Sequence, residues 1–123
     1  MKIYTASKTV HAYRWHQLRA LGVNVISTWI HESGPGETAC FRSLWERCIR
    51  EASQADALLL YREPGEVLKG AFIEAGAALA SGKPVYAVGV EDQSFRHHPL
   101  VTVCDSINDA LGKMRAKAEG GAL

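Results

Sequence analysis

No surplus of charge, no membrane-length apolar run and no metal-type cysteine spacing mark this chain, and each absence closes a class of function. Lysine and arginine number 14 against 13 aspartates and glutamates, a formal net charge of +1. That balance supplies no bulk attraction to a nucleic-acid polymer or an anionic membrane surface. No apolar stretch approaches the ~20 residues that a bilayer-spanning helix needs. Met1-Lys-Ile-Tyr4 runs straight into a strand-like segment, without the apolar core of a signal peptide. The three cysteines, Cys40, Cys48 and Cys104, are odd in number and lack the spacing of a metal site. Reduced thiols in a cytoplasmic protein are expected, rather than a disulfide framework. No segment repeats. What is present is 123 residues, 47% apolar and 22% charged, as in a single soluble domain spanning 1–123.

Strand-like and helix-like segments alternate along it. Lys2–Ala6 reads as a strand, and Ser7 or Thr9 stands where a helix cap is needed. Val10–Leu21 has helical spacing (Val10, Tyr13, His16 or Gln17, Leu21) and stops at Gly22. Val23–Thr28 reads as a second strand, and Trp29–Thr38, containing Ser33-Gly-Pro-Gly36, as a mobile loop or lid. Phe41–Ala55 gathers Phe41, Leu44, Trp45, Cys48, Ile49 and Ala52 on one helical face. Ala57–Tyr61 and Pro84–Val88 are apolar strands on either side of a helix that holds Glu74. Glu91–Pro99 is a polar loop and Leu100–Val103 a fifth strand; Ser106 caps a last helix, and the tail Glu119–Leu123 frays.

Apolar strands joined through a helix run parallel. Five of them with right-handed crossovers predict an α/β fold, a doubly wound five-stranded sheet in a flavodoxin- or Rossmann-like three-layer sandwich of order 2-1-3-4-5. The loops after the first and third strands then flank the switch point where such sheets bind ligands. One loop carries Tyr4 to Thr9 and the other runs from Arg62 to Glu74.

Glu74 lies near the start of its helix among Gly70, Ala71, Ala75, Gly76 and Ala77. The helix dipole and free backbone N–H groups favour an ionised carboxylate there. A positioned carboxylate can attack an anomeric carbon and form a glycosyl-enzyme that water or another nucleophile resolves. Small neighbours would let a sugar ring lie close. The same residues also fit a tightly packed helix with a solvated acid at its start.

Four segments carry a resemblance: Tyr4-Thr-Ala-Ser7, Ala55-Asp-Ala-Leu-Leu-Leu-Tyr61, Gly70-x-x-x-Glu74-x-Gly-x-Ala-x-Ala-x-Gly-Lys-Pro84 and His98-Pro-Leu-Val-Thr-Val-Cys-Asp-Ser106. Together, and over essentially the whole chain, they resemble the nucleoside 2-deoxyribosyltransferase family, which includes 2'-deoxynucleoside 5'-phosphate N-hydrolases. The resemblance implies cleavage of the N-glycosidic bond of a small nucleoside or nucleotide, by hydrolysis or deoxyribosyl transfer. It makes Glu74 the nucleophile at C1' and sets the Tyr4 hydroxyl near it. Ser7 takes a position that holds the 5'-phosphate, with Lys8 adding charge, on a loop leading into a helix. Lys69 and Gly70, at the start of the Glu74 helix, join the substrate-binding set. Trp29 falls where relatives recognise the base and can stack on it, and His31 or Glu32 can stand in for an acid there. The family assembles as homodimers or larger, and the apolar face of Phe41–Ala55 with Trp45 suits that interface. No metal and no organic cofactor is implied.

Two positions depart from the family. Its aspartate eight residues ahead of the position of Asp56, which helps protonate the leaving base, is Cys48 here. Glu46 and Glu51 are near in sequence but point elsewhere on a helix. The Asp or Ser six residues before the nucleophile, which binds the sugar hydroxyl or the phosphate, is Leu68. Loss of the acid costs on the order of 10²–10⁴-fold in rate. Because the transferase-type Asp is absent, hydrolysis is expected ahead of transfer, and a non-catalytic nucleotide-binding or interaction module is the rival reading. Asp56 reads as structural and Trp15 and Trp45 as core or interface. His97 and His98 read as loop histidines, and Arg62 as a partner of Glu63 or Glu66 or of a phosphate.

Overall fold

A computed structural model of the protein describes residues 1–120. Four parallel strands, β1 (Ile3–Ala6), β2 (Ala57–Tyr61), β3 (Val85–Val88) and β4 (Val101–Cys104), form one sheet in the order β1-β2-β3-β4. Four helices accompany them: α1 (Ala12–Ala20), α2 (Phe41–Gln54), α3 (Gly70–Ala80) and α4 (Ile107–Gly120). All of β1 and β3 and the run Ala57–Leu60 of β2 are buried. Side chains alternate across a sheet, so such burial requires cover on both faces. Helix α3 packs on β1, β2 and β3, α4 on β2, β3 and β4, and α2 packs along α3. No helix among the described residues is long and apolar enough to cross a membrane.

The expected second strand does not form, so the sheet of the described residues has four strands rather than five. Val23–Thr28 contributes one bridge, Val25 to Ile3, on the side of β1 away from β2. It keeps the lateral place of a second strand but not its ladder. The reason is local. Ile3 exchanges backbone bonds with Asn24 and Ile26, but the outward groups of Thr5 are taken by side chains. The Thr5 N–H donates to Ser27 Oγ at 3.2 Å, and the buried Trp29 indole donates to the Thr5 carbonyl at 2.8 Å. The chain then turns through a 3₁₀ turn at Thr28–His31, so the expected lid begins as packed structure, with Trp29 and Ile30 buried.

The first helix is shorter than expected and turned the other way. A 3₁₀ turn at Thr9–His11 precedes α1, and Ala12 and Trp15 face inward while Val10, Tyr13 and Leu21 are 69%, 51% and 80% exposed. One indole buries more apolar area than any of the three. Trp15 also finds a polar partner, donating from Nε1 to Ser7 Oγ at 2.9 Å. Ser7 is thereby engaged, and neither it nor Thr9 caps a helix with its side chain. Gly22, at φ +94°, ends the segment as expected.

Asp56 is structural: its carboxylate accepts from the Lys2 N–H at 2.6 Å and its own N–H donates to the Lys2 carbonyl at 2.8 Å, joining the starts of β1 and β2. Ser106 caps α4 by accepting from the Asp109 N–H at 3.0 Å. Arg62 pairs with Asp92 at 3.0 Å and donates to the carbonyls of Gly89 and Glu66, rather than to the carboxylates of Glu63 or Glu66. Glu119 and Gly120 belong to α4, and the rest of the expected frayed tail, 121–123, lies outside the described residues. The cysteines are unpaired, Cys40 exposed and Cys48 and Cys104 buried.

Candidate active site

Strand β1 delivers Tyr4 into the interior, and α3, beginning just past the end of β2, delivers Glu74 to meet it. The Tyr4 hydroxyl donates to Glu74 Oε1 at 3.0 Å across 70 residues of sequence. Helix α2 brings Cys48 to the same point, its buried thiol beside the Tyr4 hydroxyl and close to Glu74.

This environment reverses one expectation. Glu74 is the fifth residue of α3, beyond the free N–H groups of the first turn, and only 6% exposed. Burial pushes its carboxyl up to about 8; the Tyr4 hydrogen bond pulls the other way and the Glu51 carboxylate adds to the rise. Burial therefore favours the protonated form of Glu74, and the helix does not hold the carboxylate ionised. Burial, with Glu74 and Cys48 alongside, holds the Tyr4 proton far above the usual phenol range. Burial likewise raises the Cys48 thiol to about 11.

A pocket of about 470 Å³ opens over Glu74, a volume suited to a small ligand. Its depth is formed by Glu74, Cys48 and Ala71, and its apolar wall by Trp29, Leu44, Trp45 and Leu68. Ser7, Lys8, Thr9 and Val10 border it from the β1 loop, with Val67, Lys69 and Gly70 from the start of α3. Both lysines are exposed. Gly70 lies close under Trp45: a Cβ on it would come 3.0 Å from the edge of the indole ring.

Of the residues singled out in the sequence, Ser7, Lys8, Trp29, Lys69, Gly70 and Glu74 thus border one cavity, and Tyr4 reaches it through Glu74. His31 does not. Its ring is exposed and bonded to Arg19 at 2.8 Å, and Glu32 is held by Arg47 at 3.1 Å, so neither replaces an acid in the pocket. Glu51 accepts from the N–H and hydroxyl of Thr28, and Glu46 pairs with Arg42 on the surface. His97 and His98 are exposed outside the cavity. The two departures from the family pattern, Cys48 and Leu68, both border it. Sequence reasoning missed Val10, Leu44 and Val67 and assigned Trp45 to core or interface. The signal for Trp45 was its place three residues before Cys48, on the same face of α2.

Elsewhere, His11, Glu63 and Glu66 bring potential ligand atoms within 4.8 Å of one another. The group is already internally paired. His11 Nε2 and Glu66 lie 2.9 Å apart, while Arg14 donates to Glu63 at 3.0 Å and to His11 Nδ1 at 3.4 Å.

No protein-family model matches the sequence, and no curated protein does. Among solved structures, the CMP N-glycosidase BcmB of Clostridium botulinum is similar in fold, with a TM-score of 0.57 at 15% identity. The superposition covers 94% of this chain and 99% of that one.

Proposed function

We propose that this protein is an N-glycosidase of a small nucleoside or nucleotide, with Glu74 as nucleophile. The observation that carries the reading is the Tyr4–Glu74 hydrogen bond at the bottom of a ligand-sized pocket. The fold shared with an enzyme described as a CMP N-glycosidase supports it. In this reading residues 1–123 are one nucleoside 2-deoxyribosyltransferase-like domain, needing neither metal nor organic cofactor. Trp29 and Trp45 flank the base, while Ser7, Lys8 and Lys69 receive a 5'-phosphate at the mouth. The Glu74 carboxylate attacks C1', the C1'–N bond breaks, and its electron pair leaves with the base. Water then attacks C1' of the glycosyl ester, releasing the sugar and restoring the carboxylate. Hydrolysis is preferred to transfer, because the transferase-type Asp is Leu68. Unpaired thiols, one of them exposed, suit a reducing cytoplasm. The exposed stripe Phe41, Trp45 and Ile49 along α2 provides a face for self-association into a homodimer.

Cys48 at the acid position favours a second reading, a binding module that retains the pocket without turnover. A broad panel of nucleosides and 5'-nucleotides, assayed for free base with wild type and Glu74→Gln, separates the two. Release is expected from the wild type, with a loss of about 10³-fold or more in Glu74→Gln. Binding seen by calorimetry without release would establish the module instead. Release that survives Glu74→Gln would remove Glu74 from the mechanism.

A further inference from the structure

The pocket holds a nucleophile but nothing suited to protonating a departing base. Among the described residues bordering it, the titratable side chains are Glu74, Cys48, Lys8 and Lys69, with no second carboxyl and no imidazole. The lysines stand exposed at the mouth. The Cys48 thiol is buried, with its pKa raised to about 11, and the Tyr4 proton is committed to Glu74. Glu74 cannot fill both roles in one step: as a carboxylate it has no proton to give, and as an acid it has no charge with which to attack. An ordinary purine or pyrimidine would therefore leave as an unprotonated anion, without the ~10²–10⁴-fold that general acid catalysis supplies.

A base that is already cationic at its glycosidic ring has no such need. When its C1'–N bond breaks, the electron pair neutralises the ring and the base departs uncharged, with no proton transferred. The pocket suits such a ring in two further ways. The indoles of Trp29 and Trp45 border it, and aromatic faces attract cations. Glu74 is its single carboxyl, and a positive ring beside a buried carboxyl favours the ionised form that attacks.

Resting on the glycosidase reading, we infer that the substrates are nucleotides whose base is a cation at the glycosidic ring, an N-alkylated purine or a pyridinium. Attack forms the bond from Glu74 oxygen to C1' and breaks C1'–N. Water then adds to C1', its proton passing to solvent, and the carboxylate is freed.

The test compares 7-methylguanosine 5'-monophosphate with guanosine 5'-monophosphate, each in ribose and 2'-deoxyribose forms, and nicotinamide mononucleotide with CMP. Each rate is divided by the uncatalysed rate of the same compound, because the cationic ones are intrinsically more labile. The expected enhancement is about 10²-fold or more greater for the cationic member of each pair, the size of the missing acid contribution. Cys48→Asp, which supplies a carboxyl at that position, is expected to narrow this ratio at least about tenfold by raising release of the neutral bases. The wild-type ratio decides even if that variant does not fold. Equal enhancement of neutral and cationic bases would overturn the inference and leave the glycosidase reading standing; no release from either class would overturn both.

Discussion

Glu74 is held between opposing demands, since the interior favours its neutral form and the proposed chemistry its charged one. Its pKa of about 8 in the folded chain exceeds the 4.5 of a free carboxyl, with burial the main cause. The folded state therefore binds the proton more tightly than the unfolded state between those values. Stability from this group is complete below pH 4.5 and falls as pH rises through about 8, a loss on the order of a few kcal/mol. Glu74→Gln is expected to flatten that decline and to melt several degrees above wild type at about pH 8, with little difference at about pH 4.5. Thermal melts across the range check it; parallel profiles for the two proteins would contradict a buried, proton-binding Glu74. Strand–helix alternation indicated that the loops carrying Tyr4 and Glu74 face one cleft, and the family resemblance set the Tyr4 hydroxyl near Glu74. The protonation of Glu74 was not legible in the sequence, since its burial depends on the packing of α2 and of Trp29, both remote from it in sequence.

At the scale of elements, legibility followed the amount of apolar pattern each segment carries. The apolar runs of β2 and β3 and the six-residue face of α2 left little choice of structure. In α1 the choice lay between Val10, Tyr13 and Leu21 on one side and Trp15 with Ala12 on the other, and a simple period does not weigh one indole against three smaller groups. The Val23–Thr28 segment has the alternation of a strand, but Ser27 and Trp29 supply by side chain what a ladder would supply by backbone. The β2 and β3 ends are joined through Gly89, at φ +81°, where a Cβ would collide with the Arg62 carbonyl. Gly89→Ala is expected to cost about 1–3 kcal/mol, since it combines backbone strain with that collision. Gly82 has a similar φ of +75° but open space around it, so Gly82→Ala is expected to cost about 1 kcal/mol or less. Denaturant midpoints of the two variants check the difference, and equal losses would show that the collision is relieved by movement.

For the molecule as a whole, Phe41 is 68% exposed and Trp45 and Ile49 each 37%, at consecutive i, i+4 positions of α2. The proposed homodimer forms across this stripe. Sedimentation of the wild type is expected to give a dimer, and Phe41→Asp combined with Ile49→Asp a folded monomer. A monomeric wild type at about 100 μM, a concentration at which a stable interface is filled, would count against it.

The outer side of β1 has a further consequence. Both outward donors and both outward acceptors of that strand, on Ile3 and Thr5, are already occupied. An edge strand normally offers such groups as a template for a foreign chain, which is how sheets seed aggregation. Here an incoming strand would first have to extract a buried indole and a buried serine hydroxyl from their bonds. At this end the sheet is closed to strand addition.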